Sequence, residues 1–193
     1  MTIKDKSRNE IKIWTISNLL SIFRIILIIP ISVLLLSGIE SNRYWVFGLG
    51  IIAILTDKLD GELARRYNTV TEFGKILDPL ADKIAVVTVG IILTIQNIIP
   101  LWFILVISLR DLLILLGGLY LKSKKNIVPQ SNIQGKIAVA VISVVLILAI
   151  LNIQQLNPIK DIFITISLVM LLISFHSYIH KFFNILSGKE TNI

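Results

Sequence analysis

Apolar residues in this chain come in long blocks separated by short polar segments. Six blocks follow one another: Ile16–Leu36, Trp45–Gly61, Ile76–Gln96, Pro100–Leu121, Lys136–Leu151 and Ile159–Phe183. A helix crossing a bilayer needs about 20 mostly apolar residues, and each block reaches or nearly reaches that length. Gly38, Glu40, Ser41 and Asn42 punctuate the first gap, Gln96, Asn97 and Pro100 the third, and Asn152 to Pro158 the fifth; these residue types interrupt helices. No long linker, low-complexity tract or internal repeat divides the chain. The pattern predicts an all-α integral membrane protein with six transmembrane helices in a single domain over residues 1–193, and a short N-terminal juxtamembrane helix around Ile11–Ser17.

Composition strengthens that expectation. The chain is 55% hydrophobic and 16% charged, with mean hydropathy +0.85. A water-soluble fold of this composition would expose large apolar patches. The net charge is +7, but the basic residues lie in short segments between apolar blocks, not in one stripe, so nucleic acid is not an expected partner. With the N-terminus on the cytoplasmic side, the inner segments hold Lys4, Lys6, Arg8, Lys12, Lys58, Arg65, Arg66, Lys75, Lys122, Lys124, Lys125, Lys136, Lys181 and Lys189. The outer segments hold only Arg43 and Lys160. By the positive-inside rule both termini face the cytoplasm, as does the gap between spans two and three. The first block is longer than the apolar core of a secretion signal, with no convincing cleavage site after it, and is expected to remain as a membrane helix. With no cysteine in the chain, disulfides and thiol chemistry are excluded.

The candidate chemistry lies in the gap expected to face the cytoplasm. On a helix Asp57, Asp60, Gly61, Ala64 and Arg65 fall at i, i+3, i+4, i+7 and i+8 and share one face. Thr69–Glu72 has the form of a capping box that would start the next helix. There Gly74, Asp78 and Asp82 recur at i, i+4 and i+8, with Pro79 expected to kink the helix or loosen its first turns. Carboxylates on two facing helices suit hard divalent cations such as Mg²⁺ or Mn²⁺. Two such ions could clamp a pyrophosphate. A divalent-cation pathway is the other reading of acidic residues in membrane helices; the glycines and the guanidinium beside the carboxylates favour phosphate.

Residues 57–82 match the pattern D-x-x-D-G-x-x-A-R-x(8)-G-x-x-x-D-x-x-x-D at every fixed position, and in this the chain resembles the CDP-alcohol phosphatidyltransferase family. The resemblance implies a six-helix membrane fold, usually homodimeric, and a reaction in which an alcohol attacks the β-phosphorus of a CDP-linked lipid and releases CMP. It further implies that Asp57, Asp60 and Asp78 bind metal with Asp82 near it, and that Gly61, Ala64, Arg65 and Gly74 hold the CDP moiety. Asp82 would be the base that takes the acceptor's proton.

The motif leaves the acceptor open. Leu77–Lys83 resembles the version found in phosphatidylglycerophosphate synthases and related cardiolipin synthases, as does Asn18–Arg24, with Ser21 in place of the usual threonine. Arg110-Asp111 lies inside the fourth span, where an unpaired guanidinium is costly. It is a candidate for binding an acceptor phosphate, or else a structural ion pair with a carboxylate of a neighbouring helix. A second arginine, usual eight positions later in the glycerophosphate enzymes, is replaced by Gly118, a feature closer to the cardiolipin enzymes. Lys136 is a further candidate for phosphate. Glycerol 3-phosphate is the expected acceptor and phosphatidylglycerol the alternative. His176 and His180, one turn apart, read as an interfacial pair rather than a metal site; Trp14, Trp45 and Trp102 read as interfacial anchors. For Arg24 the sequence allows a structural role or a contact to lipid phosphate.

Overall fold

Long apolar stretches satisfy their backbone groups internally as helices, the form a single segment can take in hydrocarbon, and the chain folds accordingly. The computed structural model describes the backbone of residues 15–66, 74–125 and 133–187, and side chains at 15, 18–56, 80–125 and 133–187. Among these residues the helices are α1 (Ile16–Leu36), α2 (Glu40–Arg66), α3 (Gly74–Ile95), α4 (Leu101–Lys125), α5 (Ile133–Leu151) and α6 (Asn157–Leu186), with a 3₁₀ turn at Gln154–Leu156 before α6. Four of them are long and apolar enough to cross a membrane within the described residues: α1, α4, α5 and α6 with its preceding turn.

Helix ends depart from the apolar blocks in an informative way. α2 begins at Glu40 and runs to Arg66, past both Trp45 and Gly61, because helical hydrogen bonding does not stop where hydrophobicity does. α4 continues to Lys125, placing Lys122, Lys124 and Lys125 in its last turn, where cations oppose the negative end of the helix dipole. At the N-terminus, Thr15 is extended (φ −108°, ψ 156°) and its hydroxyl accepts from the Asn18 N–H. Ile16 and Ser17 therefore belong to α1 and not to a separate juxtamembrane helix; residues 11–14 lie outside the described residues.

The polar punctuation acts through left-handed caps. Gly38 (φ 68°), Asn97 (φ 58°) and Asn152 (φ 47°) follow α1, α3 and α5 respectively. After α3 the Asn97 N–H donates to Thr94 C=O and the Ile98 N–H to Leu93 C=O, each at 2.9 Å, the bond pair of a Schellman motif. After α5 a single bond from Asn152 N–H to Leu148 C=O, 2.9 Å, closes the simpler αL form.

The chain forms two compact units, Met1–Ile92 and Leu93–Ile193. In the first, α1 packs along α2, with Leu27, Ile28, Ile31, Leu35 and Val46 buried. In the second, α6 packs against α5 and α4. Its buried face steps through Lys160, Ile164, Ser167, Leu171 and Ser174, at intervals of three and four. Small residues at such contacts, here Ser167, Ser174, Ala138 and Ala149, let helices approach closely where lipid provides no hydrophobic drive. Lys160, expected as a loop charge, is instead 8% exposed. Its ammonium donates to Ile98 C=O at 2.9 Å and to Asn157 Oδ1 at 3.2 Å, tying the start of α6 to the turn before α4. Large apolar side chains such as Leu105, Leu109, Leu112, Ile162 and Leu172 remain exposed, as suits helices bathed in hydrocarbon.

Candidate active site

The acidic motif straddles the end of α2 and the start of α3. α2 is helical through Arg66, so positions 57, 60, 61, 64 and 65 recur along one helical face. α3 opens at Gly74 and runs as one helix through positions 78 and 82, one turn apart. The side chains of Asp57, Asp60, Ala64, Arg65 and Asp78, and the capping box at residues 69–72, lie outside the described residues, as do contacts at Gly61 and Gly74. No group of three metal-ligating side chains converges among the described residues; three of the four expected carboxylates are not among them. What the backbone provides is two carboxylate positions a turn apart on each of two helices, a hard-oxygen set that fits a divalent cation by donor chemistry.

Asp82 is the motif residue whose side chain is described, and its contact with α1 was not legible in the motif. Its Oδ1 accepts from Arg24 Nη1 of α1 at 2.8 Å, an ion pair between a guanidinium 4% exposed and a carboxylate 52% exposed. Charge-assisted bonds of this length are the strong ones. Arg24 belongs to a polar face of α1: Thr15, Asn18, Ser21 and Arg24 recur every three residues and all are buried. That three-residue polar stripe in an otherwise apolar helix is the sequence signal that could have pointed inward, away from lipid phosphate.

Arg110 sits in the second unit. Its Nη1 donates to Asp111 Oδ1 at 2.8 Å and its Nη2 to Ser174 Oγ of α6, while the buried Nε donates to nothing among the described residues. The structural alternative therefore takes a different form from the one expected: the carboxylate comes from the next residue of the same helix, and the neighbouring helix contributes a hydroxyl. One turn further along, Tyr178 donates its hydroxyl to Ile114 C=O at 2.9 Å. A Cβ at Gly117 would stand 2.6 Å from that hydroxyl oxygen, whereas one at Gly118 would meet nothing within 4 Å. The glycine that packing requires is thus Gly117, and the backbone around Gly118 leaves space for a side chain.

Among the other polar side chains, Lys122, Lys124, Lys125 and Lys136 are exposed, as are His176 and His180; His180 Nδ1 lies 3.3 Å from Asn184 Nδ2. Trp45 and Trp102 are 70% and 47% exposed, as anchors at a membrane interface would be; Trp14 lies outside the described residues.

Comparison with known proteins bears on the chain as a whole. The family model described as CDP-alcohol phosphatidyltransferase matches residues 14–174, a stretch that includes both motif helices and Arg110. The chain is 33% identical over 178 residues to a CDP-diacylglycerol–glycerol-3-phosphate 3-phosphatidyltransferase of Aquifex aeolicus, covering 89% of this chain and 97% of that protein. To a protein of the same name from Bacillus subtilis it is 44% identical over 89 residues, 46% of each chain. To a cardiolipin synthase (CMP-forming) of Streptomyces coelicolor it is 33% identical over 132 residues, 66% of this chain and 60% of that one.

Proposed function

The chain belongs to the CDP-alcohol phosphatidyltransferase family, and on that premise we propose that it transfers a phosphatidyl group from CDP-diacylglycerol to glycerol 3-phosphate with release of CMP. It is a membrane enzyme, a transferase of substituted phosphate groups. The observation that carries the reading is the unbroken helical setting of the motif, α2 through Arg66 and α3 from Gly74, which keeps the eight motif positions in register on two helices.

In the proposed reaction the acceptor hydroxyl gives its proton to Asp82 as its oxygen attacks the β-phosphorus. A P–O bond forms to the acceptor, and the bond from that phosphorus to the bridging oxygen breaks; the electron pair leaves with CMP. Asp57, Asp60 and Asp78, with Asp82 beside them, would hold divalent ions, Mg²⁺ or Mn²⁺, which when bound neutralise charge on the pyrophosphate. Arg65 would pair with a phosphate of the CDP group, and Gly61, Ala64 and Gly74 would leave room for that group to lie against the helices. Arg110 and Lys136 are proposed for the acceptor's phosphate on residue type.

End-to-end similarity to the Aquifex enzyme supports glycerol 3-phosphate. Phosphatidylglycerol, giving cardiolipin, is the second reading, favoured by Gly118 in place of a second arginine and by the Streptomyces relative. The outer segments hold only two basic residues, Arg43 and Lys160, and Lys160 is buried with its ammonium bonded to Ile98 and Asn157. This supports an orientation with both termini and the reacting centre on the cytoplasmic side of the cytoplasmic membrane. A homodimer is proposed from the family resemblance.

The deciding experiment gives purified protein CDP-diacylglycerol, Mn²⁺ or Mg²⁺, and in turn glycerol 3-phosphate, phosphatidylglycerol, inositol phosphate and serine. CMP release with glycerol 3-phosphate, abolished by chelation and restored by the metal, is expected. Silence with every acceptor would refute the reaction, and turnover with phosphatidylglycerol alone would move the acceptor to the second reading.

A further inference from the structure

The buried face of α1 changes character along its length. Asn18, Ser21 and Arg24 are 1%, 0% and 4% exposed, and the same face continues as Leu27, Ile28, Ile31 and Leu35. A buried ion pair adds little net stability over apolar side chains of similar volume, and a guanidinium in an apolar helix is costly. Arg24 is therefore best understood by what it holds. It reaches across 58 positions of sequence to Asp82, Nη1 to Oδ1 at 2.8 Å, and leaves that carboxylate 52% exposed. With Oδ1 held by the guanidinium and the side chain half exposed, the carboxylate has a defined direction without being sealed from a reactant.

We infer that Arg24 is a positioning residue for Asp82, its bond to Oδ1 holding the carboxylate in the direction from which it takes the acceptor's proton. This rests on the reading of Asp82 as the base. The same guanidinium has an opposite effect on a divalent cation at Asp82, because two positive centres beside one carboxylate repel each other. Arg24 thus improves geometry at the expense of metal affinity, a combination that a scaffolding residue would not produce.

The test compares Arg24→Met, Arg24→Lys and Asp82→Asn with the unaltered protein, each purified in detergent and shown to be monodisperse. Steady-state CMP release gives kcat and KM, and Mn²⁺ titration followed by electron paramagnetic resonance, without lipid substrate, gives metal affinity. Arg24→Met is expected to lose about 10²-fold in kcat, to keep its KM for CDP-diacylglycerol within about twofold, and to bind Mn²⁺ several-fold tighter. Arg24→Lys, keeping a charge and a donor, should recover part of kcat with Mn²⁺ affinity near the original. Undiminished kcat in Arg24→Met, or Mn²⁺ binding that is unchanged or weaker, overturns the inference. Full turnover by Asp82→Asn would instead sink the reading of Asp82 on which it stands. If Arg24→Met is not monodisperse, Arg24→Gln provides the same comparison.

Discussion

Two adjacent glycines on α4 make a sharp test of the packing against α6. At Gly118 an added methyl meets nothing within 4 Å, so Gly118→Ala should show the ordinary helix preference of alanine, a gain of about 1 kcal/mol. At Gly117 the same methyl would lie 2.6 Å from the Tyr178 hydroxyl oxygen and 3.3 and 3.4 Å from two ring carbons. That hydroxyl must move, breaking its bond to Ile114 C=O, at about 1 kcal/mol, and the overpacked ring adds about 1–2 kcal/mol. Set against the same propensity gain, Gly117→Ala should be net destabilising by about 1–2 kcal/mol, placing the two alanine variants about 2–3 kcal/mol apart. For a chain of this size that is a separation in Tm of about 5–10 °C, readable by thermal unfolding in detergent with tryptophan fluorescence. Tyr178→Phe removes the closest atom, so Gly117→Ala in that background should cost less than in the original chain. Equal stability of Gly117→Ala and Gly118→Ala, or no relief from Tyr178→Phe, would refute the packing argument.

Three further outcomes follow from other contacts. Lys160→Met should lower stability by about 2 kcal/mol through loss of its charged hydrogen bonds to Ile98 and Asn157, with kcat for CMP release little changed; thermal unfolding alongside the turnover assay checks both halves. Asn97 holds a left-handed conformation at φ 58°, so Asn97→Ala should destabilise by about 1 kcal/mol while Asn97→Gly is neutral or better, again read as Tm. Arg110→Gln should raise KM for glycerol 3-phosphate about tenfold with KM for CDP-diacylglycerol unchanged; a rise in both, or in neither, would remove Arg110 from acceptor binding.

Much of this protein is determined by local rules that a sequence displays openly. Apolar blocks of span length specify helices because hydrocarbon offers the backbone no other partner, and α1 spans the residues of its block, Ile16–Leu36. Gly38, Asn97 and Asn152 announce helix ends because they tolerate left-handed backbone, and all three adopt it. The acidic motif is readable for the same reason: its spacing is a helical period, and α2 and α3 supply helix at those positions. What depends on which helices meet is not written in any period. The pairing of Arg24 with Asp82 crosses 58 residues, that of Arg110 with Ser174 crosses 64, and Lys160 finds Ile98 across 62. A charge in an apolar helix declares that it needs a partner, since leaving it bare is too costly, but only the packing of helix on helix decides which group answers. For the same reason a sequence shows two glycines at 117 and 118, and the position of the Tyr178 ring decides that the first is the one where a side chain is costly.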